Sequence, residues 1–269
     1  MKKVLLLMFL ISNLSYAQIK LKTYSKEVKG GYEFLADNDE YCPVSLLLNL
    51  ELSNMSSSEG NNKIFVIPAR TKGHVVTQLK NIKKGRYGYR SKTNFHYGDH
   101  LNATHDTTYV YDLPFKKGKK FKISQGYFGE RSHQGKRALD FSMPIGTDVY
   151  AAREGVVIKV VDHNVKTCYK KECAKYNNKI LIYHQDGTFS TYAHIDTNTA
   201  KVKVGDVVEK GQLIAKSGNI GFSSGPHLHF MVFNQKMKTR ESLETKFKIY
   251  EDGKPVFLKN QGVYNLDED

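Results

Sequence analysis

The chain has 269 residues, a formal net charge of +14 and 40% hydrophobic residues. This length fits two domains, at about 100–200 residues per domain. The positive charge favours an anionic partner. No arginine-rich block and no motif of stacking aromatics predicts nucleic-acid binding, so we retain bacterial cell-wall polymers and membrane surfaces as candidates.

The N-terminus resembles a secretory signal peptide. Lys2 and Lys3 precede an apolar run at 4–11, and Ser-Tyr-Ala at 15–17 suits signal peptidase. The run is shorter than the ~20 apolar residues of a membrane-spanning helix, so we expect no stable membrane insertion. We predict that residues 1–17 are a signal peptide and that the protein is secreted, with periplasmic and extracellular destinations both open. Loss of the two lysines lowers the net charge from +14 to +12.

Residues 18–112 are predicted to form a small β-sandwich that serves as an accessory domain. Leucines at 46, 48, 50 and 52 alternate with other residues, which is typical of a half-buried strand. Shorter strand candidates lie at 65–67, 75–79 and 108–111, separated by turns rich in Gly, Ser and Asn. No long stretch with helical periodicity interrupts them.

Residues 113–240 are also rich in strand signals and predict an antiparallel β domain. The strand candidates are at 156–161, 179–183 and 189–193, and glycines recur at the turns between them. A charged C-terminal extension follows at 241–269, with weak strand signals at 247–250 and 255–258. The predicted fold class is therefore all-β throughout.

Three cysteines are present, and export makes a disulfide possible. Cys168 and Cys173 lie close together between two apolar runs, and we favour a bridge that clamps this hairpin loop. A zinc pair is the rival, but no second cysteine pair or nearby histidine completes it. Cys42 is expected to be buried and unpaired. His163 and His184, which flank the loop, are expected at the surface or at a strand edge.

The sequence GPHLHF at 225–230 contains two histidines that suit a metal site. If 228–233 is a strand, His227 and His229 project from the same face, because side chains alternate with a period of two. Upstream, His133 lies seven residues before Asp140, and His194 ends the strand candidate TYAH. Two histidines and one aspartate suffice as the protein ligands of a catalytic zinc ion, which keeps one position open for water.

The segment from about 127 to 233 resembles the LytM/lysostaphin-like zinc metallopeptidases, which cut peptide bonds in bacterial peptidoglycan. The resemblance is carried by His133, by Asp140 with the residues up to 149, and by the segments 151–157, 191–194, 205–212 and 217–230. It implies that His133, Asp140 and His229 ligate one Zn²⁺ ion. It also implies that His194 and His227 lie beside the metal and assist catalysis. The family commonly places three residues between its first histidine and the aspartate, whereas six separate His133 from Asp140 here.

The expected function is that of a secreted zinc endopeptidase acting on peptidoglycan peptides. Zinc makes a bound water more acidic and polarises the substrate carbonyl, while nearby imidazoles transfer protons. The alternative is a catalytically silent protein that binds the wall or activates another hydrolase. Whether the target is the cell's own wall or that of a competitor, and the oligomeric state, stay open.

Overall fold

The computed structural model describes residues 19–249 and 253–265. Within these residues the fold is nearly all β, as the sequence predicts. The predicted signal peptide lies outside the described residues. Inside them, no helix is long and apolar enough to cross a membrane.

The N-terminal part contains seven strands in two sheets. One sheet has the order β1-β2-β6-β4 and the other has the order β5-β3-β7. The alternating leucines lie in β3, where Leu46, Leu48 and Leu50 are buried, as predicted. The strands are β1 Leu21–Val28, β2 Gly31–Asn38, β3 Val44–Ser53, β4 Met55–Ser57, β5 Asn62–Ile67, β6 Thr71–Asn81 and β7 Gly88–Tyr97.

Side chains from both sheets meet in one hydrophobic cluster. Phe34 and Leu79 come from the first sheet, and Leu46 and Ile67 come from the second. Each is almost fully buried. The assignment of residues 18–112 as a β-sandwich accessory domain stays a prediction.

The remaining strands form a nine-stranded sheet with smaller sheets around it. The main order is β16-β12-β14-β15-β19-β10-β9-β23, and β20 pairs with β19. The strands are β8 Val110–Tyr111, β9 Lys120–Gln125, β10 Leu139–Phe141, β11 Asp148–Tyr150, β12 Gly155–Val161, β13 Thr167–Cys168, β14 Lys179–Tyr183, β15 Phe189–Ala193, β16 Val207–Val208, β17 Leu213–Lys216, β18 Gly221–Phe222, β19 Leu228–Gln235, β20 Arg240–Leu243, β21 Lys246–Phe247, β22 Val256–Phe257 and β23 Val263–Asn265. A 3₁₀ helix spans Lys171–Tyr176.

The two faces of the main sheet have different surroundings. On one face, Ile180, Tyr192 and Phe230 belong to the largest hydrophobic cluster. On the other face, Phe189 and Phe233 belong to a smaller cluster. Because side chains alternate along a strand, residues that flank the first group point toward the second face.

The smaller cluster joins the N-terminal part to the main sheet. Cys42 and Tyr97 from the N-terminal part contact the cluster that contains Phe189 and Phe233. Cys42 is buried and unpaired, as predicted. One edge of the N-terminal part therefore covers a portion of the second face.

The residues after 240 continue the main sheet and its core. β20 pairs with β19, and β23 pairs with β9. Phe247 and Leu258 are buried in the largest hydrophobic cluster. Apolar burial thus extends into the charged C-terminal segment.

The loop between β13 and the 3₁₀ helix is closed by the predicted disulfide between Cys168 and Cys173. His163 is exposed, as expected. The expectation for His184 is wrong, because its side chain is completely buried. Its ring donates to the Glu154 carbonyl through Nδ1 at 2.6 Å and lies 3.0 Å from the Ser190 hydroxyl through Nε2. These two partners satisfy the ring and make its burial possible.

Candidate metal centre and active-site groove

Strand pairing brings Asp140 and His229 together on the second face of the sheet. β10 and β19 are antiparallel, and Asp140 lies directly opposite His229. The residues on either side of Asp140, Leu139 and Phe141, are buried in the largest cluster. Their burial forces Asp140 to point the other way. Leu228 and Phe230, on either side of His229, are buried in the same cluster, so His229 also points toward the second face.

His133 completes a cluster of three possible metal ligands with Asp140 and His229. Its Nε2 lies 3.2 Å from Asp140 Oδ1 and 3.3 Å from His229 Nδ1. His229 Nδ1 lies 2.9 Å from Asp140 Oδ1. Tetrahedral ligands about 2.0–2.1 Å from a zinc ion are about 3.3 Å from one another. The separations and the donor atoms therefore fit one small metal ion of the zinc type.

The orientation of the His133 ring follows from a backbone hydrogen bond. Its Nδ1 lies 3.0 Å from the carbonyl oxygen of Gly126, and a carbonyl can only accept. The neutral ring consequently carries its proton on Nδ1 and presents the Nε2 lone pair to Asp140 and His229. Such a partner on the distal nitrogen is what fixes the tautomer of a histidine ligand.

Gln125 holds the aspartate, and sequence reasoning missed it. The residue lies opposite Asp140 in β9, and its Nε2 donates to Asp140 Oδ2 at 2.9 Å. Its Oε1 accepts the backbone N–H groups of Arg131 and Ser132, both at 3.1 Å. The carboxylate therefore keeps Oδ1 directed toward His133 and His229. No motif contains Gln125, so only strand register reveals this role.

His194 and His227 lie next to the ligand cluster. Their ring centroids are 4.6 Å apart, and His227 Nε2 is 3.7 Å from Asp140 Oδ1. His194 follows β15 with a φ of 64°, in the left-handed region. Its position after a strand that pairs with β19 places it beside His229, at a centroid distance of 6.0 Å.

Backbone carbonyls select the same tautomer in both of these histidines. His194 Nδ1 donates to the carbonyl of Ile220 at 2.7 Å. His227 Nδ1 donates to the carbonyl of Gly225 at 2.8 Å. In the neutral state, each ring therefore has an unprotonated Nε2 that can accept a proton. As predicted from the alternation of side chains, His227 and His229 line the same groove.

The electrostatics favour an ionised carboxylate at Asp140 and neutral rings at His194 and His229. Burial acts to raise the pKa of Asp140, but its close contacts with His133 and His229 outweigh burial and hold this pKa well below its usual range. Burial lowers the pKa of His194 to about 3, and the nearby His227 and His229 add to the effect. Burial also lowers the pKa of His229. A carboxylate and neutral imidazoles are the forms that bind a metal.

Asp140, His194, His227 and His229 line a groove of about 420 Å³, and His133 is buried behind it. Tyr169, from the disulfide-closed loop, forms part of its wall and stacks on Phe222 with ring centroids 5.5 Å apart. Arg131 and Lys136 also line the groove, and both are exposed. The site can therefore admit an extended polar chain and offers two cations beside the candidate metal ligands.

Comparison with known proteins places similarity to metallopeptidases in the part of the chain that carries most of this groove. Residues 134–241 match the model described as Peptidase family M23. A metalloprotease of Buchnera aphidicola described as uncharacterized is 27% identical over 88% of this chain and 64% of its own length. Peptidoglycan DD-endopeptidase ShyA of Vibrio cholerae is 33% identical over 41% of this chain and 24% of its own. Lysostaphin of Staphylococcus simulans is 32% identical over 60% of this chain and 28% of its own. The chain thus spans less than two thirds of the length of these relatives.

Proposed function

We propose that the protein is a secreted zinc endopeptidase that hydrolyses peptide bonds in bacterial peptidoglycan, since residues 134–241 match Peptidase family M23. The similarity to the Vibrio cholerae peptidoglycan DD-endopeptidase ShyA supports the choice of substrate. The positively charged groove edge at Arg131 and Lys136 suits peptides that carry free carboxylates.

One observation carries the proposal. Three ligand atoms lie 2.9–3.3 Å from one another, and two further imidazoles beside them have their Nδ1 atoms engaged by carbonyls. If the histidine cluster had only a structural role, nothing would favour placing His194 and His227 at an open groove with the same tautomer and without a ligand role. A hydrolase needs such rings because protons must leave the attacking water and reach the departing amine.

The chain's residues divide the work as follows. His133 Nε2, Asp140 Oδ1 and His229 Nδ1 would hold the ion. Bound zinc supplies Lewis-acid polarisation of the scissile carbonyl and a more acidic water. His194 and His227 accept a proton at Nε2 from the attacking water and return it to the amine nitrogen that leaves. The carbonyls of Ile220 and Gly225 stabilise the protonated rings through the Nδ1–H groups that they accept.

Two substitutions separate metal binding from proton transfer. His229→Ala should abolish stoichiometric zinc in the purified protein and should abolish release of soluble fragments from purified sacculi. His194→Ala should retain zinc and lose about 10²–10⁴-fold in rate, the usual contribution of a positioned acid or base. His163→Ala is the matched control, since this histidine is exposed and is not among the groove-lining residues.

Three outcomes would contradict the proposal. Full activity of His229→Ala would exclude it as an essential ligand, and full activity of His194→Ala would remove its catalytic role. A wild-type protein that binds zinc and sediments with sacculi but releases no fragments would favour the silent wall-binding alternative. Mass analysis of digested muropeptides would identify the scissile bond in an active protein.

A further inference from the structure

The charges of the N-terminal part are strongly segregated along the chain. Between positions 60 and 98 the sequence contains nine lysines and arginines and no aspartate or glutamate. This stretch includes β6, β7 and the turn between them. The cations are Lys63, Arg70, Lys72, Lys80, Lys83, Lys84, Arg86, Arg90 and Lys92.

The turn between β6 and β7 has a defined conformation. The Asn54 side chain donates to the carbonyls of Lys83 and Arg86 at 2.9 and 3.3 Å, and it accepts the Lys83 N–H at 3.0 Å. The Ile82 N–H donates to the Asn54 carbonyl at 3.1 Å. These hydrogen bonds attach the turn to the residue that follows β3 and fix the backbone that carries its cations.

A second turn lies beside it and adds to the same surface. The Asn81 N–H donates to the carbonyl of Gly30, in the turn between β1 and β2, at 2.9 Å. Lys80 pairs with Gly31 across the sheet. We call this surface the basic end; its charged residues are Lys29, Lys80, Lys83, Lys84 and Arg86, all exposed. None of these five forms an ion pair with another described residue.

Apolar side chains project from the basic end into solvent. Ile82 is 62% exposed and lies between Lys80 and Lys83. Val28, which precedes Lys29, is 36% exposed. A soluble anionic polymer gives such side chains nothing to bury against, whereas a lipid surface offers both phosphate groups and the start of an acyl layer.

The basic end lies far from the contact with the main sheet. β7 starts at Gly88 beside the basic turn and ends at Tyr97, which packs in the cluster that contains Phe189 and Phe233. Ten extended residues span about 30 Å. The basic end therefore projects away from the part of the protein that carries the groove.

We propose that the basic end docks peripherally on anionic phospholipid headgroups and inserts Ile82 among them. Lys29, Lys80, Lys83, Lys84 and Arg86 supply the attraction to the headgroup phosphates, and Ile82 supplies the contribution specific to lipid. Docking holds the groove about one strand length from the membrane surface. This proposal is independent of the catalytic function proposed above, because it involves no groove residue.

The test measures flotation of the protein with vesicles. It uses the chain starting at Gln18, so that the apolar run at 4–11 does not contribute to binding. Wild-type protein should bind vesicles of phosphatidylglycerol mixed with phosphatidylcholine far more tightly than vesicles of phosphatidylcholine alone. The variant Lys83→Gln/Lys84→Gln/Arg86→Gln should bind about 100-fold more weakly, given the attraction of each cation near an anionic surface. Ile82→Ser should weaken vesicle binding about tenfold and leave binding to inorganic polyphosphate unchanged.

The matched control is Lys201→Gln/Lys203→Gln/Lys238→Gln, which removes the same charge from exposed positions after β7. Circular dichroism checks that every variant is folded. Equal loss in the control and basic-end variants would overturn the proposal, because net charge alone would then explain binding. Equal binding to both vesicle types would also overturn it. Tight polyphosphate binding with no effect of Ile82→Ser on vesicles would identify a soluble anionic polymer as the partner instead.

Discussion

Gln125 is predicted to control metal affinity through Asp140. Gln125→Ala removes the donor that lies 2.9 Å from Asp140 Oδ2. A hydrogen bond to a charged group contributes about 1.5–3 kcal/mol, which corresponds to an increase of about 10–100-fold in the zinc dissociation constant. Partners that orient metal ligands usually have an effect of this size.

The assay is competition for zinc between the folded protein and a chelator of known affinity. Gln134→Ala is the control, because this exposed glutamine donates to the Glu130 carbonyl at 2.7 Å and does not contact Asp140. Thermal unfolding of the metal-free proteins measures the separate effect of losing the contacts of Gln125 with Arg131 and Ser132. Saturating zinc should restore most of the activity of Gln125→Ala. A zinc dissociation constant within twofold of the Gln134→Ala value would refute the reasoning.

Three further predictions concern stability. Burial lowers the pKa of His184 to about 4, so between pH 6.5 and 4 this histidine binds a proton in the unfolded chain but not in the folded chain. The free energy of unfolding should therefore fall by about 3 kcal/mol from this residue as the pH falls from 7 to 4. Denaturant titrations of His184→Gln should lack this loss. Asp186→Asn should destabilise by about 3–5 kcal/mol, because Arg153 is buried and donates to Asp186 at 2.8 Å; a change below about 1 kcal/mol would contradict the role of this pair. Replacing Cys168 and Cys173 by serine should cost about 2 kcal/mol from loop closure and raise KM more than it lowers kcat, since the loop supplies a groove wall; an unchanged KM would remove that role.

The candidate site residues could be predicted because the segments around them carry the family resemblance. His227 and His229 flank a buried leucine at the start of a strand, and alternation alone places them on one face. The extra residues between His133 and Asp140 do not separate these side chains, which approach to 3.2 Å. A loop of variable length can reach the same point because Gly126 and Asp140 anchor its histidine in space.

Other features of the fold could not be predicted from the neighbouring residues in the sequence. The strands β1, β2 and β7 contain many charged and polar residues, and they form because their partners in the two N-terminal sheets supply the hydrogen bonds and the apolar face. The burial of His184 depends on a carbonyl 30 positions away in the chain. Propensity and periodicity describe neighbours along the chain and contain no information on such distant partners.

The amino-acid sequence by itself determined the all-β class and indicated the disulfide, since these follow from alternation and spacing, and its resemblance to the LytM/lysostaphin-like family implied that His133, Asp140 and His229 could hold a metal. Only the tertiary structure decided that Gln125 holds Asp140, that His194 and His227 share one tautomer, and that cations from two separate turns form one basic end. The contact of Gln125 depends on strand register, whereas the tautomer of His194 and the joining of the two turns depend on backbone carbonyls remote in the chain. Hydrogen bonds of this kind exist only when distant segments are brought together by burial of the hydrophobic core.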